Sequence, residues 1–241
     1  MIPKKIHYCW FGRNPFPPII EKCIATWQTV LPEYEIKRWD ESNFDVSQNN
    51  YVKEAYEAKK YAFVSDFARF DILYREGGIY LDTDVEILRN LDNFLHHKMF
   101  TGFENEKCVA PGLILGAIPK ANLIGYLRNY YLDKSFAKSD GSFNMESIVS
   151  IMTKILLDRG LRLDGEFQIV EEIAIYPTDY FSPLQFHTGK LCKTSNTVSI
   201  HHYAGSWLSY DDKFKLFFYR MFTNLLGHNL FNQIKNYKKY I

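Results

Sequence analysis

The sequence has little that would mark a secreted, membrane-spanning or nucleic-acid-binding protein. Its four cysteines, Cys9, Cys23, Cys108 and Cys192, form no CxxC pair and no regular spacing. That argues against a disulfide frame or a zinc site and for reduced thiols in a reducing compartment. The opening MIPKKIHYCWFG lacks the apolar run, roughly 7–15 residues, of a secretory signal. Nowhere does the chain approach the roughly 18 successive apolar residues of a membrane span. Net charge is +1, so no global field draws the chain to nucleic acid or to strongly acidic partners. Internal repeats and low-complexity linkers are missing as well. These absences point to a cytoplasmic globular protein. Its 241 residues, 46% of them hydrophobic, suit one domain with a full core.

What the sequence has in surplus is aromatic residues, 17% of the chain; they serve core packing and sites that stack flat ligands alike. Lys5–Trp10 is a short run of β-formers closed by Phe11-Gly12 and a Pro-rich turn, a first strand. Ile19–Val30 places Ile20, Cys23, Ile24 and Trp27 at helical spacing, and Pro32 stops it. Tyr34–Trp39 alternates as a second strand. Strand, helix, strand opens an α/β sheet. A single long helix is expected over Ala55–Glu76, with Phe63, Phe67, Phe70 and Tyr74 on one stripe and Gly77-Gly78 as its stop. A short apolar strand, Ile79–Leu81, follows. Leu113–Ile118 and Val198–Tyr203 read as further strands, Asn122–Leu132 and Met145–Arg159 as helices.

The strand Ile79–Leu81 runs directly into Asp82-Thr83-Asp84. Two carboxylates one residue apart at a strand end can share a divalent cation with the diphosphate of a ligand. Taken alone, such a triplet is more often a solvated acidic turn. On the preceding helix Asp66 and Arg69 stand at i and i+3 and share a face beside the phenylalanine stripe. A carboxylate and a guanidinium placed there need partners, in each other or in a ligand. Trp10 falls at the carboxyl end of the first strand, where open α/β sheets bind ligands.

The stretch Ser65–Val85, SDFARFDILYREGGIYLDTDV, resembles the signature of family 32 glycosyltransferases over 21 contiguous residues. That family includes capsule and surface-polysaccharide enzymes and yeast Golgi mannosyltransferases, and the clostridial glucosylating toxins have a related core. The resemblance implies a GT-A fold, a Rossmann-like α/β domain with a mixed sheet over residues 1–210, followed by a C-terminal helical segment. It implies a retaining, metal-dependent hexosyl transfer from a UDP-sugar to a glycan or polyprenyl-linked acceptor. Asp66, Arg69, Asp82 and Asp84 would be catalytic, with Asp66 and Arg69 forming a fork on the sugar hydroxyls. Trp10 would stack on uracil, with the backbone around His7 and Tyr8 at its edge. The segment Ile200–Trp207 (IHHYAGSW) resembles a family element that completes the metal shell and brings Ser206 and Trp207 to the β-phosphate. Mn²⁺, or Mg²⁺, would sit on Asp82, Asp84 and one histidine. Adjacent strand residues face opposite ways, so only one of His201 and His202 can serve; spacing to Trp207 favours His202, with His201 as the alternative. Gly102–Asn105 and Asn144–Ser147 are candidates for the acceptor side, and for ordinary loops and caps.

Two other functional readings stand beside this one: a non-catalytic nucleotide-sugar-binding protein, and a protein-glycosylating effector. Residues 211–241 are basic and aromatic. They read equally as a helix packed on the domain and as a segment lying peripherally on the inner face of an anionic membrane.

Overall fold

Strand β1 (Lys5–Cys9) is buried along nearly its whole length, as expected of a strand covered on both faces. In the computed structural model, which describes residues 1–205, β1 is flanked by β2 (Glu35–Trp39) and β3 (Gly78–Tyr80), both parallel to it. The sheet continues through β7 (Leu115–Ala117), β5 (Met99–Asn105), β9 (Ile173–Tyr176) and β8 (Gln168–Val170), and β6 (Cys108–Val109) pairs with β5. Its order, β2-β1-β3-β7-β5-β9-β8, mixes parallel and antiparallel neighbours. A separate antiparallel ribbon joins β4 (Val85–Ile87) to β10 (Ser199–His201). The expected α/β class with a mixed sheet is what forms. Ser206, Trp207 and the 211–241 segment lie outside the described residues, and the boundary expected at residue 210 lies there too.

Helix α1 (Pro18–Val30) starts on a proline and buries Ile20, Cys23 and Trp27, with Ile24, the fourth residue of the expected stripe, partly buried. It also fixes the ribbon: Trp27 Nε1 donates to the Val85 carbonyl at 2.6 Å, and the Ile87 N–H donates to Thr26 Oγ1 at 3.0 Å.

The single helix expected over Ala55–Glu76 is two helices, α2 (Asn50–Glu57) and α3 (Tyr61–Glu76). Lys59 takes a left-handed conformation (φ 57°). The N–H groups of Lys60 and Lys59 turn back to the carbonyls of Ala55 and Tyr56 at 2.8 and 2.9 Å. This pair of bonds is a Schellman stop built without glycine. Helical periodicity continues across the stop, so the pattern of apolar residues did not reveal it.

Helix α4 (Asn122–Leu132) has the expected limits, and α5 (Ile148–Leu157) is shorter than expected, starting where Ser147 caps the Ser150 N–H. A short helix α6 (Thr178–Phe181) follows β9. Phe67, Phe70, Leu127 and Tyr131 fill the core on one side of the sheet. Trp27, Ile79, Phe94, Phe100 and Phe181 fill the other.

The turn from α3 into β3 needs its glycines. Gly77 and Gly78 have φ of 64° and 99°. A Cβ on Gly78 would sit 2.9 Å from both His7 Nε2 and the Lys5 carbonyl. This tight crossing sets β3 beside β1, so that Trp10 and Asp82 both leave the sheet at its carboxyl edge.

Candidate active site

Helix α3 delivers Asp66 and Arg69 to that edge, both buried. Arg69 Nη2 is 2.9 Å from Asp66 Oδ1 and 3.4 Å from Asp82 Oδ1, so the guanidinium ties the helix to the acidic turn. Its plane lies over the Tyr80 ring at 4.6 Å, and Nε donates to the Ser65 carbonyl at 3.3 Å. Nη1 is buried with no partner among the described residues. Burial pushes the Asp66 carboxyl up to about 7, against the pull of Arg69. Burial works against the Arg69 charge too, but Asp82, Tyr80 and Asp66 together outweigh it and hold the guanidinium protonated.

The acidic triplet follows β3 at once. The Asp82 N–H donates to the Gly112 carbonyl at 3.0 Å, and the Val85 N–H closes the turn on the Asp82 carbonyl at 3.1 Å. Gly112 is also a matter of space: a Cβ there would stand 2.1 Å from Asp82 Oδ2. Asp84 has two donors. His201 Nε2 lies 3.0 Å from Oδ1, and the Ala204 N–H donates to Oδ2 at 2.7 Å. Left-handed residues at Tyr203 (φ 52°) and Gly205 (φ 58°) bend the chain back to make the second bond. Burial would raise the Asp84 carboxyl, but the charge of His201 and these hydrogen bonds hold it at about 2. His201 shows the converse: burial would lower it, and the Asp84 carboxylate raises it.

Asp82, Asp84 and His201 each present a ligand atom, and these atoms lie within 4.8 Å of one another. His202, favoured from its spacing to Trp207, is not among them. Its Nε2 turns to Glu86 Oε2 at 2.8 Å, while its backbone N–H donates to the Asp84 carbonyl. The reason is register. His201 stands opposite Val85 in the ribbon, which brings its imidazole to Asp84 and leaves the next histidine for Glu86.

His7 is a fully buried part of the core. Trp39 Nε1 donates to its Nδ1 at 3.1 Å, which leaves Nε2–H to donate to the Gly77 carbonyl at 2.9 Å. Burial keeps the ring neutral and lowers it to about 4. Tyr8 packs edge-on against Trp27 on the other side of the sheet. Trp10 is partly exposed just beyond β1. Its Nε1 donates to the Asn14 carbonyl at 2.7 Å, and its ring meets Phe16 at 4.8 Å. Of the acceptor-side candidates, Gly102–Asn105 ends β5, where the Glu104 carbonyl accepts from Ser182 Oγ, itself paired with the Tyr203 hydroxyl. Ser147 caps α5, and Glu146 accepts from the Tyr130 hydroxyl. Sequence reasoning missed Gly112, Tyr203 and Ala204. A glycine that makes room and an amide that caps a carboxylate have no signature in the chain's own order.

The donor set fits a divalent cation. Two carboxylates and an imidazole combine hard oxygen with nitrogen, a set that divalent metal ions accept. A cation held there would compete with the contact between His201 Nε2 and Asp84 Oδ1.

Residues 17–101 match the family described as the glycosyltransferase sugar-binding region containing a DXD motif. The matched span holds Asp66, Arg69, Asp82 and Asp84. An uncharacterised glycosyltransferase of Acanthamoeba polyphaga mimivirus is 26% identical over 229 residues, 90% of this chain and 88% of that protein. An inositol phosphoceramide mannosyltransferase of Schizosaccharomyces pombe is 37% identical over 103 residues, 40% of this chain and 28% of the yeast protein. Among solved structures, the PaToxG glycosyltransferase aligns with a TM-score of 0.49 at 16% identity, over 65% of this chain and 69% of that one. By its sequence relatives the chain is a glycosyltransferase.

Proposed function

We propose that this glycosyltransferase is a metal-dependent, retaining enzyme of the family 32 type with a GT-A fold. It moves a hexose from a UDP-sugar to a glycan or polyprenyl-linked acceptor in surface polysaccharide synthesis. One observation carries the reading: the buried pair Asp66 and Arg69 reaches the partly exposed Asp82 in one continuous chain, which runs into the Asp82, Asp84 and His201 cluster. Sugar-binding and diphosphate-binding groups thereby share one edge of the sheet.

Asp82, Asp84 and His201 would hold Mn²⁺ or Mg²⁺, which when bound neutralises charge on the leaving diphosphate. The remaining work falls to the chain's own groups. Arg69 Nη1, buried and unpartnered among the described residues, is free to donate to a sugar hydroxyl or a phosphate oxygen. Asp66, anchored on the same guanidinium, accepts from a sugar hydroxyl. Trp10, beyond β1, offers a ring face to the base; such stacking contributes roughly 1–3 kcal/mol per base. Because the fork and the turn are locked to one another, the sugar and its leaving group are positioned together, which lowers the barrier through orientation. Retention follows a front-face route in which the leaving phosphate takes the acceptor's proton.

The test is hydrolysis of a nucleotide-sugar panel, read as free nucleotide, with Mn²⁺, with Mg²⁺ and with excess EDTA. The expected result is UDP release from one or a few UDP-hexoses that stops in EDTA. Full turnover in EDTA, or no release from any donor, would overturn the reading. Activated mannose belongs on the panel because the yeast relative is a mannosyltransferase. Preference for it would replace UDP-hexose and leave the site intact.

A further inference from the structure

Beyond the far end of the β4–β10 ribbon, where Leu88 follows β4 and Val198 precedes β10, lies a cleft of about 510 Å³. At ~3.3 Å per extended residue, the four residues from Asp84 to Leu88 put it on the order of 13 Å from the acidic cluster. Three chain segments line it. Residues 176–180 contribute Tyr176 and Tyr180, residues 89–93 contribute Arg89 and Asn93, and the 194–198 loop contributes Asn196.

Each segment is held in place before any ligand arrives. Tyr176 and Tyr180 meet at 4.9 Å, and both rest on Phe94, at 5.0 and 6.4 Å. The Tyr176 hydroxyl is bound to His97 Nε2 at 2.8 Å. The 194–198 loop is pinned to α6: Asp179 Oδ2 accepts from Thr194 Oγ1 at 2.7 Å and from Asn196 Nδ2 at 3.1 Å, and Thr197 Oγ1 donates to the Asp179 carbonyl at 2.8 Å. Arg89 Nη1 donates to the Ser195 carbonyl. Contacts already made within and between these segments reduce the ordering that ligand binding requires.

Its chemistry selects a carbohydrate. Partly exposed tyrosines offer flat apolar faces to sugar C–H groups with a polar tip beside them. The Asn93 and Asn196 amides each carry donor and acceptor together, the pairing that neighbouring sugar hydroxyls require. The charges balance, since Arg89 lines the cleft and Asp179 backs it, so no net field favours an ionic ligand. The volume is within the range of small-ligand sites. From this arrangement we infer that the cleft is a second carbohydrate site, which holds neutral sugar units of a glycan away from the reacting end. The inference does not depend on which donor the enzyme uses.

Saturation-transfer NMR on the full chain tests it, with maltotriose, cellotriose, mannotriose and N,N′-diacetylchitobiose as probes. At least one should give a signal that falls about fivefold in Asn93→Ala, as loss of one hydrogen-bonding group implies. The signal should fall similarly in Tyr180→Ala and persist in Asp84→Asn. Asn93 is exposed, so its variant tests the site even if Tyr180→Ala fails to fold. A signal that survives both cleft variants, or disappears in Asp84→Asn, would place the sugar at the acidic edge and overturn the inference. So would the absence of a signal from all four probes.

Discussion

Asp66 on helix α3 and Asp84 beside the β4–β10 ribbon are both largely removed from water, and each faces a cationic side chain, yet they titrate in opposite directions. Asp66 is pushed up to about 7 and Asp84 is held at about 2. The difference lies in the donors aimed at each carboxylate. Asp66 has Arg69, which it shares with Asp82. Asp84 has the His201 imidazole on one oxygen and the Ala204 N–H on the other. Asp66, bonded on one oxygen only and facing the Asp82 charge as well, stays raised; Asp84, with the His201 charge and a hydrogen bond on each oxygen, is lowered. The helix pair therefore holds a carboxyl that takes up a proton near neutrality, and the ribbon turn holds its carboxylate ionised there.

The largest expected effect comes from breaking the ionised side. Asp84→Ala should lower donor turnover on the order of 10³-fold, as loss of a preorganised charge in an active site does. Steady-state nucleotide release measures it, and turnover within about tenfold of the parent would show that Asp84 is only structural.

The opposed titrations can be read as stability in metal-free buffer. Asp66 has a folded value raised from 3.8 to about 7. Its contribution is complete below the lower value and is lost as pH rises through the upper one, on the order of 4 kcal/mol. Asp84 is lowered from 3.8 to about 2, so its contribution, about 2 kcal/mol, is present above the upper value and lost as pH falls through the lower one. In urea unfolding, Asp66→Asn should gain on the parent between about pH 4 and 7, and Asp84→Asn should lose ground between about pH 2 and 4. Matching pH profiles for the two variants would dissolve the contrast.

Gly112→Ala should displace the Asp82 carboxylate, whose Oδ2 would stand 2.1 Å from the new methyl carbon. Turnover should drop about tenfold or more, as when a supporting group around a metal ligand is changed, while the melting temperature shifts little. An unchanged rate would mean that the turn yields without cost. The smallest effect is expected at His202. His202→Ala should change turnover within about twofold, and His201→Ala about 10–100-fold. The reverse order would restore the histidine favoured by spacing.

Much of this was legible along the chain. The α3 stripe, the Gly77-Gly78 stop, the short β3 strand and the acidic turn follow one another between Phe63 and Asp84, each with its own local signal. The break at Lys59 was not legible, because a left-handed lysine has no sequence signature comparable to glycine. That the His7 side chain belongs to the core was not legible either, because its partners, Trp39 Nε1 and the Gly77 carbonyl, lie 32 and 70 residues away along the chain.

By itself, then, the sequence determined the class of the fold and the group of acidic and basic residues at its carboxyl edge. Helical and strand spacing assign side chains to faces within a single element, and those assignments need no distant partner. Tertiary structure alone decided which histidine meets Asp84, across 117 residues of chain. It also decided that Gly112 makes room for Asp82, and that two buried aspartates titrate in opposite directions. Each of these depends on the register and burial of segments that only folding brings together, and desolvation and hydrogen bonding act over a few ångströms in space, whatever the separation along the chain.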